Sequence, residues 1–595
     1  MDTASIAEKK LLVRVALGEE SADTVLLGGV VVNVHTLETY PADIAIKNGR
    51  VVFVGDVSHT VGAKTVTVDM NGRYLVPGFI ETHMHVGGSQ LNMTEFGKLA
   101  LSHGTTSIAT DMYEIGIIRG MKGIRYFLEE LRATGIKPLF LVPMPAYHQD
   151  EAFGNIGTFT EKDAMEVLNW QDCYGLNEVN LAKIADKDPG VERLVEEAQR
   201  LGKTLVGHAA ATSGKRLQAA LNFMALTGDH ECVTWEDANE KARLGMCIQL
   251  RDGSVGSDIH RIISERPSEL NTIGDFAYSS DEIAPDRMEI LGHLDAKIRM
   301  SIEAGAAPLL AIRGATLNAA RMFRLDHEIG SLSPGKWADI VVIDDLRSVK
   351  VRDVVVNGEF LVRDGSYVRT LPQRRYPEFL VNTVHLRTLS PESFQVKAPR
   401  RGTLRIRLIR ARDGSLFSES LTTDIEPQNG RVEADQDRDI LKVVQLDRHQ
   451  RSGRIGIGFL TGFGLKNGAI ASTFNPCSEN LSVLGTNDAD MILAANYLIE
   501  KGGGFVVASQ GRVVRALDLP IAGIASEKAY REVVERLSEI HAEIDRMGCT
   551  IRNPFHILAF MVFPAHFGAL KVCSHGLVDV EHGRIVSLFA DETRE

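Results

Sequence analysis

The chain has 595 residues and a formal net charge of -12, with 44% hydrophobic and 24% charged residues. This length fits about three globular domains. The acidic balance argues against a nucleic-acid surface, and no stretch approaches the roughly 20 apolar residues of a membrane span. The six scattered cysteines form no Cys-x-x-Cys motif, which predicts neither disulfides nor a thiolate zinc site and makes a reducing cytoplasm the expected location.

The two flanks of a central region share a β-rich texture. An N-terminal helical segment is predicted over 1–22, followed by short β-rich runs over 23–76, where Lys47-Asn48-Gly49 is a strong hairpin signal. The same texture returns over 329–370. We therefore expect the chain to re-enter the first sheet after a central domain and to complete a small β-sandwich.

Residues 77–328 alternate strand and helix patterns and predict an α/β domain. The eight candidate strands are 79–85, 105–110, 138–142, 174–179, 204–208, 226–230, 246–250 and 272–276. Eight strands that alternate with helices are typical of a closed (β/α)8 barrel. A further C-terminal α+β domain is predicted over 385–595.

The first predicted barrel strand ends in two histidines. His83 and His85 are two residues apart, so in a strand their imidazoles project from the same face. Neutral imidazole binds Zn, Fe, Mn and Ni. The pair alone is also compatible with two polar residues at a strand end.

Other predicted strands supply further possible ligands at the same end of the barrel. The active sites of such barrels lie at the carboxyl ends of the strands, where the sequence places Glu178, His208 and His230, with Asp281 just past the eighth strand. One catalytic metal usually takes about three protein ligands, so six suit two ions about 3.5 to 4 Å apart. Histidine and carboxylate ligands without thiolate favour Mn, Fe or Zn.

The chain resembles the prokaryotic adenine deaminase family of the metal-dependent amidohydrolase superfamily. The barrel motifs that carry the resemblance are Pro77-Gly-Phe-Ile-Glu-Thr-His-Met-His85, His103-Gly-Thr-Thr106, Asp111-Met-Tyr-Glu-Ile115, Gly175-Leu-Asn-Glu178, Gly207-His208 and Asp229-His-Glu-Cys232. Beyond the barrel it continues in Arg454-Ile-Gly-Ile-Gly-Phe459, Gly485-Thr-Asn-Asp488 and Asp518-Leu-Pro-Ile-Ala-Gly523. The resemblance covers nearly the whole chain from about residue 22 onward. It is specific to the adenine deaminase family because most amidohydrolases lack the C-terminal domain.

The resemblance implies a reaction and a role for each residue. His83, His85 and Asp281 would hold one divalent ion and His208 and His230 a second, with Glu178 bridging; Mn or Fe is favoured and Zn is the alternative. A metal-activated hydroxide would attack C6 of adenine, Asp281 would shuttle the proton, and hypoxanthine and ammonia would form. The substrate-binding residues implied are Ser89, Asp111, Glu114 and Glu231. A homo-oligomer, most simply a dimer, is expected by analogy.

The chain also departs from the family pattern near the expected substrate. Gly87-Gly88-Ser89 replaces a Glu-Ser-Ser run, Tyr113 replaces a histidine, Ala210 replaces a proline, and residues 475–480 replace a His-Asp-Ser-His-Asn pattern. All six predicted ligands remain. An amidohydrolase acting on a modified purine or on another cyclic amine or amide is therefore the alternative activity. A non-catalytic binding protein is the alternative class, although it usually comes with lost ligands.

Overall fold

The structure is a computed structural model that describes residues 5–145, 149–185, 187–254, 256–270, 273–372, 374–564 and 568–591. The first four residues of the predicted N-terminal segment, and Thr272 at the start of the predicted eighth barrel strand, lie outside these ranges. The N-terminal helix runs over Ile6–Ala16. It begins where the Ser5 side chain accepts a hydrogen bond from the backbone N–H of Glu8.

Two β-sheets pack face to face beside the barrel. The smaller contains only strands that precede the barrel in the chain, and the larger contains strands that precede and follow it. In spatial order the smaller sheet contains Arg50–Gly55, Asp43–Lys47, Thr24–Leu27 and Val66–Asp69. The larger contains Ser366–Tyr367, Glu359–Arg363, Val351–Val356, Ile340–Ile343, Tyr74–Pro77, Val30–Asn33 and Glu38–Pro41. Leu26 and Ile44 from the first sheet and Ile340 from the second share one buried cluster, which confirms the predicted sandwich.

Eight parallel strands form the barrel, and each pairs with its neighbours in chain order. They are Phe79–Glu81, Thr105–Thr110, Lys137–Val142, Cys173–Asn180, Thr204–His208, Gly228–Asp229, Cys247–Arg251 and Phe276–Ser279. A parallel bridge between Met84 and Asp281 links the first and last strands. The eighth strand begins later than predicted, because residues 273–275 form a bend and pairing with the seventh strand starts at Phe276.

Helices follow the barrel strands and cover their outer faces. They are Met93–Ser102, Tyr113–Ala133, Glu161–Leu168, Leu181–Ala185, Pro189–Arg200, Gly214–Phe223, Trp235–Arg243, Ile259–Glu265, Pro285–Leu291, Leu294–Glu303, Pro308–Arg313 and Ala319–Met322. The third strand is followed by a short hairpin of Gln149–Asp150 and Asn155–Ile156.

The C-terminal domain combines a large mixed sheet with helices. In spatial order the sheet contains Glu419–Ile425, Leu404–Arg410, Ile455–Thr461, Leu441–Leu446, Leu481–Gly485, Ala469–Ser472, Gly504–Ser509 and Arg512–Asp518. Two small sheets contain Val396–Lys397 with Arg431–Val432, and Leu570–Cys573, Gly576–Asp579 and Arg584–Val586. The helices are Glu378–Val381, Asp488–Lys501, Tyr530–Arg546 and Pro554–Met561.

The C-terminal domain contacts the barrel at the end that carries the predicted ligands. The Asn92 side chain donates a hydrogen bond of 2.9 Å to the Ser526 carbonyl, and the Asn553 side chain donates one of 2.5 Å to the Ser254 carbonyl. Both barrel residues lie in loops that follow strands, so this domain packs over the barrel mouth. Within the described ranges, no helix is both long and apolar enough to cross a membrane.

Candidate metal centre

Six side chains from five barrel strands meet at the mouth of the barrel. Their ligand atoms form three overlapping groups, within each of which all atoms lie within 4.8 Å of one another: His83, His85 and Glu178; His83, His230 and Asp281; and Glu178, His208 and His230. Glu178 lies at the centre. Its Oε1 is 3.1 Å from His83 Nε2 and its Oε2 is 2.8 Å from His208 Nδ1. The structure thus brings together all six residues that the sequence singled out.

The backbone aims the two carboxylates into the mouth. Glu178 and Asp281 have φ values of 55° and 58°, in the left-handed region that residues other than glycine rarely adopt. Asp281 is fixed further by the barrel seam, where its N–H donates to the His83 carbonyl at 3.0 Å and its carbonyl accepts from the His85 N–H at 2.8 Å. Such conformations persist where the surrounding structure determines them, often at functional sites.

A second layer of polar residues orients the first two histidines. Nδ1 of His83 lies 3.1 Å from Asn177 Oδ1, and Nδ1 of His85 lies 3.1 Å from Asp111 Oδ1. Asn177 also donates to Asp111 at 2.9 Å. These contacts direct both Nε2 atoms towards the cluster, which is how histidines that bind metals are commonly held.

Glu81 connects the two edges of the barrel beneath the cluster. Its Oε1 accepts hydrogen bonds from the backbone N–H groups of His83 at 3.0 Å and Ser280 at 3.1 Å. The sequence analysis did not single out Glu81 or Asn177. Glu81 lies in the same strand motif as His83, and Asn177 immediately precedes Glu178, but only the folded chain shows what they contact.

The donor set suits a divalent cation. Nε2 of His83 is buried and makes no hydrogen bond of good geometry within the described residues, although oxygens of Glu178 and Asp281 lie 3.1 and 3.5 Å away. Burial lowers the pKa of His83, but its contacts with Asp281 and Glu178 outweigh burial and raise that pKa to about 9. Imidazole must be neutral to coordinate a metal, so protons and cations compete for this cluster.

The cluster opens into a cavity with an apolar outer wall. The barrel contributes Tyr113, whose ring lies edge-on to His85 at a centroid distance of 4.6 Å, and Met144. The C-terminal domain contributes Leu416, Pro476, Cys477, Phe560 and Phe563. The pocket is therefore polar on the barrel side, which we call its floor, and largely apolar on the side of the C-terminal domain. We call these five C-terminal residues the roof of the pocket.

Two of the four predicted substrate-binding residues reach this cavity. Asp111 and Glu231 line it, whereas Ser89 and Glu114 are not among its described lining residues. The Ser89 hydroxyl donates to the Val86 carbonyl at 2.6 Å, and Glu114 accepts from the Gly88 N–H at 3.2 Å.

Glycine at position 87 makes room for Glu114. A Cβ atom there would lie 2.6 Å from Glu114 Cδ, which is too close for two carbon atoms. Gly87, which departs from the family pattern, therefore packs against Glu114, which belongs to a motif that the chain shares with the family.

The sequence analysis missed two residues of the site: Glu282, which lines the cavity, and Arg251, which contacts two of its carboxylates. Glu282 lines the cavity and its Oε1 accepts from the Tyr113 hydroxyl at 3.3 Å; Oε2 is buried and has no hydrogen-bond partner among the described residues. The Arg251 guanidinium contacts Glu231 and Asp281 at 2.9 and 3.1 Å. Burial lowers the pKa of Arg251, but these carboxylates outweigh burial and raise it.

Comparison with known proteins identifies the family. An amidohydrolase family model matches residues 74–361, and an adenine deaminase C-terminal domain model matches residues 415–584. Curated adenine deaminases from Moorella thermoacetica and Clostridium botulinum (strain Langeland) are 36% and 35% identical to the chain over 97% and 98% of both lengths. The chain belongs to the adenine deaminase family.

The C-terminal domain that is specific to the adenine deaminase family forms the roof of the pocket. All five C-terminal residues that line the cavity fall within residues 415–584. Among solved structures, a zinc-bound adenosine deaminase from Xanthomonas campestris matches with a TM-score of 0.46 and 15% identity over 59% of this chain and 95% of that one. The family models and the curated relatives confirm the predicted family, and the eight-stranded parallel sheet confirms the predicted barrel fold.

Proposed function

We propose that this protein is a metal-dependent adenine deaminase that converts adenine and water to hypoxanthine and ammonia. The observation that carries the proposal is that a six-residue cluster suited to divalent metal lies beneath a roof formed by the family's C-terminal domain. Full-length similarity to curated adenine deaminases favours adenine as the substrate. Retention of all six ligand candidates argues against a binding-only protein.

The six residues would hold two divalent ions. In this proposal His83, His85 and Asp281 would hold one ion, His208 and His230 would hold the other, and Glu178 would be a ligand shared by both. The ligand chemistry favours Mn or Fe, with Zn as the alternative. When bound, the ions would supply hydroxide at neutral pH by lowering the pKa of a water molecule.

Asp281 would transfer the proton during the reaction. Its Oδ1 faces the cluster, 3.5 Å from His83 Nε2 and from His85 Nε2, while Oδ2 is held by Arg251. Oδ1 would accept the proton from the attacking water and return it to the purine ring or to the departing amine. The nucleophilic oxygen remains on C6 and the amino group leaves as ammonia, so the reaction balances.

The pocket walls would recognise a flat base with polar edges. Phe560, Phe563 and Leu416 provide apolar surface for the faces of a purine. Asp111, Glu231 and Glu282 provide carboxyl groups along its edges, and the unpartnered Oε2 of Glu282 is an acceptor for a ring N–H. Ser89 and Glu114 would then act indirectly, through the backbone of the loop at 86–89.

A modified purine or another cyclic amine or amide remains the second candidate substrate. Residues 475–480 depart from the family pattern, and two of them, Pro476 and Cys477, line the cavity. Neither residue is one of the six ligand candidates, so this change would alter substrate choice before it altered hydrolysis.

The proposal is tested by assaying metal-replete protein for ammonia release from adenine, modified adenines, guanine and cytosine, and for ring opening of hydantoins, which releases no ammonia. We expect adenine to give the highest kcat/KM and two equivalents of metal per chain by elemental analysis. Turnover of another compound without adenine turnover would establish the second candidate instead. Protein that retains no metal would contradict both candidates.

Location and assembly follow from the same proposal. All six cysteines are free, which suits the reducing cytoplasm. A purine base would be the small-molecule partner. A homodimer remains a prediction, which light scattering of the purified protein would test.

A further inference from the structure

Arg251 lies at the carboxyl end of the seventh barrel strand and connects two carboxylates beside the candidate metal centre. Its Nη1 donates to Glu231 Oε1 at 2.9 Å and to Asp281 Oδ2 at 3.1 Å. The side chain is 4% exposed. A single buried nitrogen therefore holds carboxyl groups from the loops after the sixth and eighth strands, which would otherwise repel each other.

The opposite side of the guanidinium is anchored outside the centre. Nε and Nη2 donate to Asp258 Oδ2 at 3.2 and 3.1 Å, and the Asp258 N–H donates to the Arg251 carbonyl at 2.8 Å. Gly256 packs against the same group, since a Cβ there would lie 2.7 Å from Arg251 Nε. Asp258 and Gly256, neither of which is one of the six clustered residues, thus help to fix the orientation of the guanidinium.

This arrangement decides which atoms face the metal centre. With Oδ2 of Asp281 engaged, Oδ1 is the oxygen that lies 3.5 Å from His83 Nε2 and His85 Nε2. Glu231 Oε1, which lies only 3.3 Å from His230 Nε2, shares Nη1 with Asp281. The same oxygen lies 3.6 Å from His208 Nδ1, so without the arginine it would be free to act as an additional metal ligand.

We propose that Arg251 is a positioning residue that presents Oδ1 of Asp281 to the metal centre and keeps Glu231 from occupying it, and that Asp258 and Gly256 set its orientation. The proposal rests on the proposed function, because it assumes that the cluster binds metal. Arg251 is not among the described residues that line the inner cavity, so it acts through the two carboxylates and not by touching substrate.

The test compares metal affinity and turnover in five variants, of which Arg251→Ala removes the guanidinium altogether. Arg251→Lys keeps the charge and loses the forked geometry; Asp258→Asn and Gly256→Ala keep the arginine and disturb its orientation. Arg261→Met is the matched control, because Arg261 is an exposed arginine on the neighbouring helix Ile259–Glu265. Metal affinity is measured by chelator competition, and folding by the melting temperature.

We expect Arg251→Lys to lose about 10- to 100-fold in metal affinity and in kcat, the range typical of residues that orient metal ligands. Asp258→Asn and Gly256→Ala should lose about 3- to 10-fold, with KM for adenine nearly unchanged and Arg261→Met like wild type. Addition of free guanidinium should partly restore kcat to Arg251→Ala, which a merely structural role would not allow.

Wild-type metal affinity in both Arg251→Lys and Asp258→Asn would overturn the inference, whatever compound the enzyme deaminates. Failure of wild-type protein to deaminate adenine would instead refute the proposed substrate and leave the affinity comparison valid. The two failures are therefore distinguishable.

Discussion

Lys571 is a buried lysine that links two segments of the pocket roof and has no carboxylate partner among the described residues. Its Nζ donates to the carbonyls of Leu416 at 3.1 Å and Phe560 at 2.6 Å, and the side chain is fully buried. Both acceptor residues line the cavity. Burial alone lowers the pKa of Lys571 from 10.5 to about 7. Replacing it with methionine should therefore change how stability depends on pH.

The direction of this pH dependence follows from the number of protons bound in the folded and unfolded states. Between pH 7 and about 10 the unfolded chain keeps a proton on this lysine and the folded chain does not, so stability rises with pH across that window. At about 1.4 kcal/mol for each tenfold difference in proton affinity, wild type should gain about 4 kcal/mol between pH 7 and pH 10. Lys571→Met lacks this gain. Its loss of two hydrogen bonds lowers stability by the same amount at each pH and cancels in the comparison.

The assay is the melting temperature of wild type and variant at pH 7 and pH 10. For an unfolding unit of about 200 residues, 4 kcal/mol corresponds to roughly 8 to 16 °C, so the melting temperature of wild type minus that of the variant should be greater by about that amount at pH 10 than at pH 7. Lys397→Met, which replaces an exposed lysine of the same domain, should show no such change. A difference between wild type and Lys571→Met that is equal at both pH values would refute the reasoning.

Substitutions at three further residues test the centre and its roof. Asp281→Asn should lower kcat by at least about 100-fold, since it removes the proton acceptor, with an unchanged melting temperature; full ammonia release would refute its role. Glu178→Gln should reduce metal per chain in elemental analysis, because Glu178 contacts histidines of all three ligand groups, and wild-type metal content would contradict the bridging assignment. Phe560→Ala should raise KM about 10-fold or more by removing apolar wall, whereas Phe560→Leu should raise it less; equal KM values in all three proteins would show that Phe560 makes no substrate contact.

The ligand candidates could be predicted because each lies at the end of a barrel strand. His83 and His85 follow from a spacing of two residues, and the ends of the fourth, fifth and sixth strands supply Glu178, His208 and His230. The barrel topology then brings such ends together whatever the loops contain. The roles of these residues as metal ligands remain predictions that the experiments above address.

The supporting residues could not be predicted, because their contacts depend on distances between segments far apart in the chain. Arg251 looks like any charged strand end until the fold places it between Glu231 and Asp281. Lys571 and Phe560 belong to a domain whose sequence pattern gives no register against the barrel. Ser89 and Glu114 were implied by resemblance, yet neither is among the described residues that line the cavity. Ser89 ends a short 3-10 helix at Val86–Ser89, and Glu114 lies in the first turn of the helix Tyr113–Ala133.

The most direct test of the central claim is the conversion of adenine by metal-replete wild-type protein, followed by the change in ultraviolet absorbance and by ammonia release. The structure predicts equimolar hypoxanthine and ammonia, loss of turnover when the metal is removed by a chelator, and recovery when Mn or Fe is restored. No hypoxanthine from protein that holds its full complement of metal would contradict it.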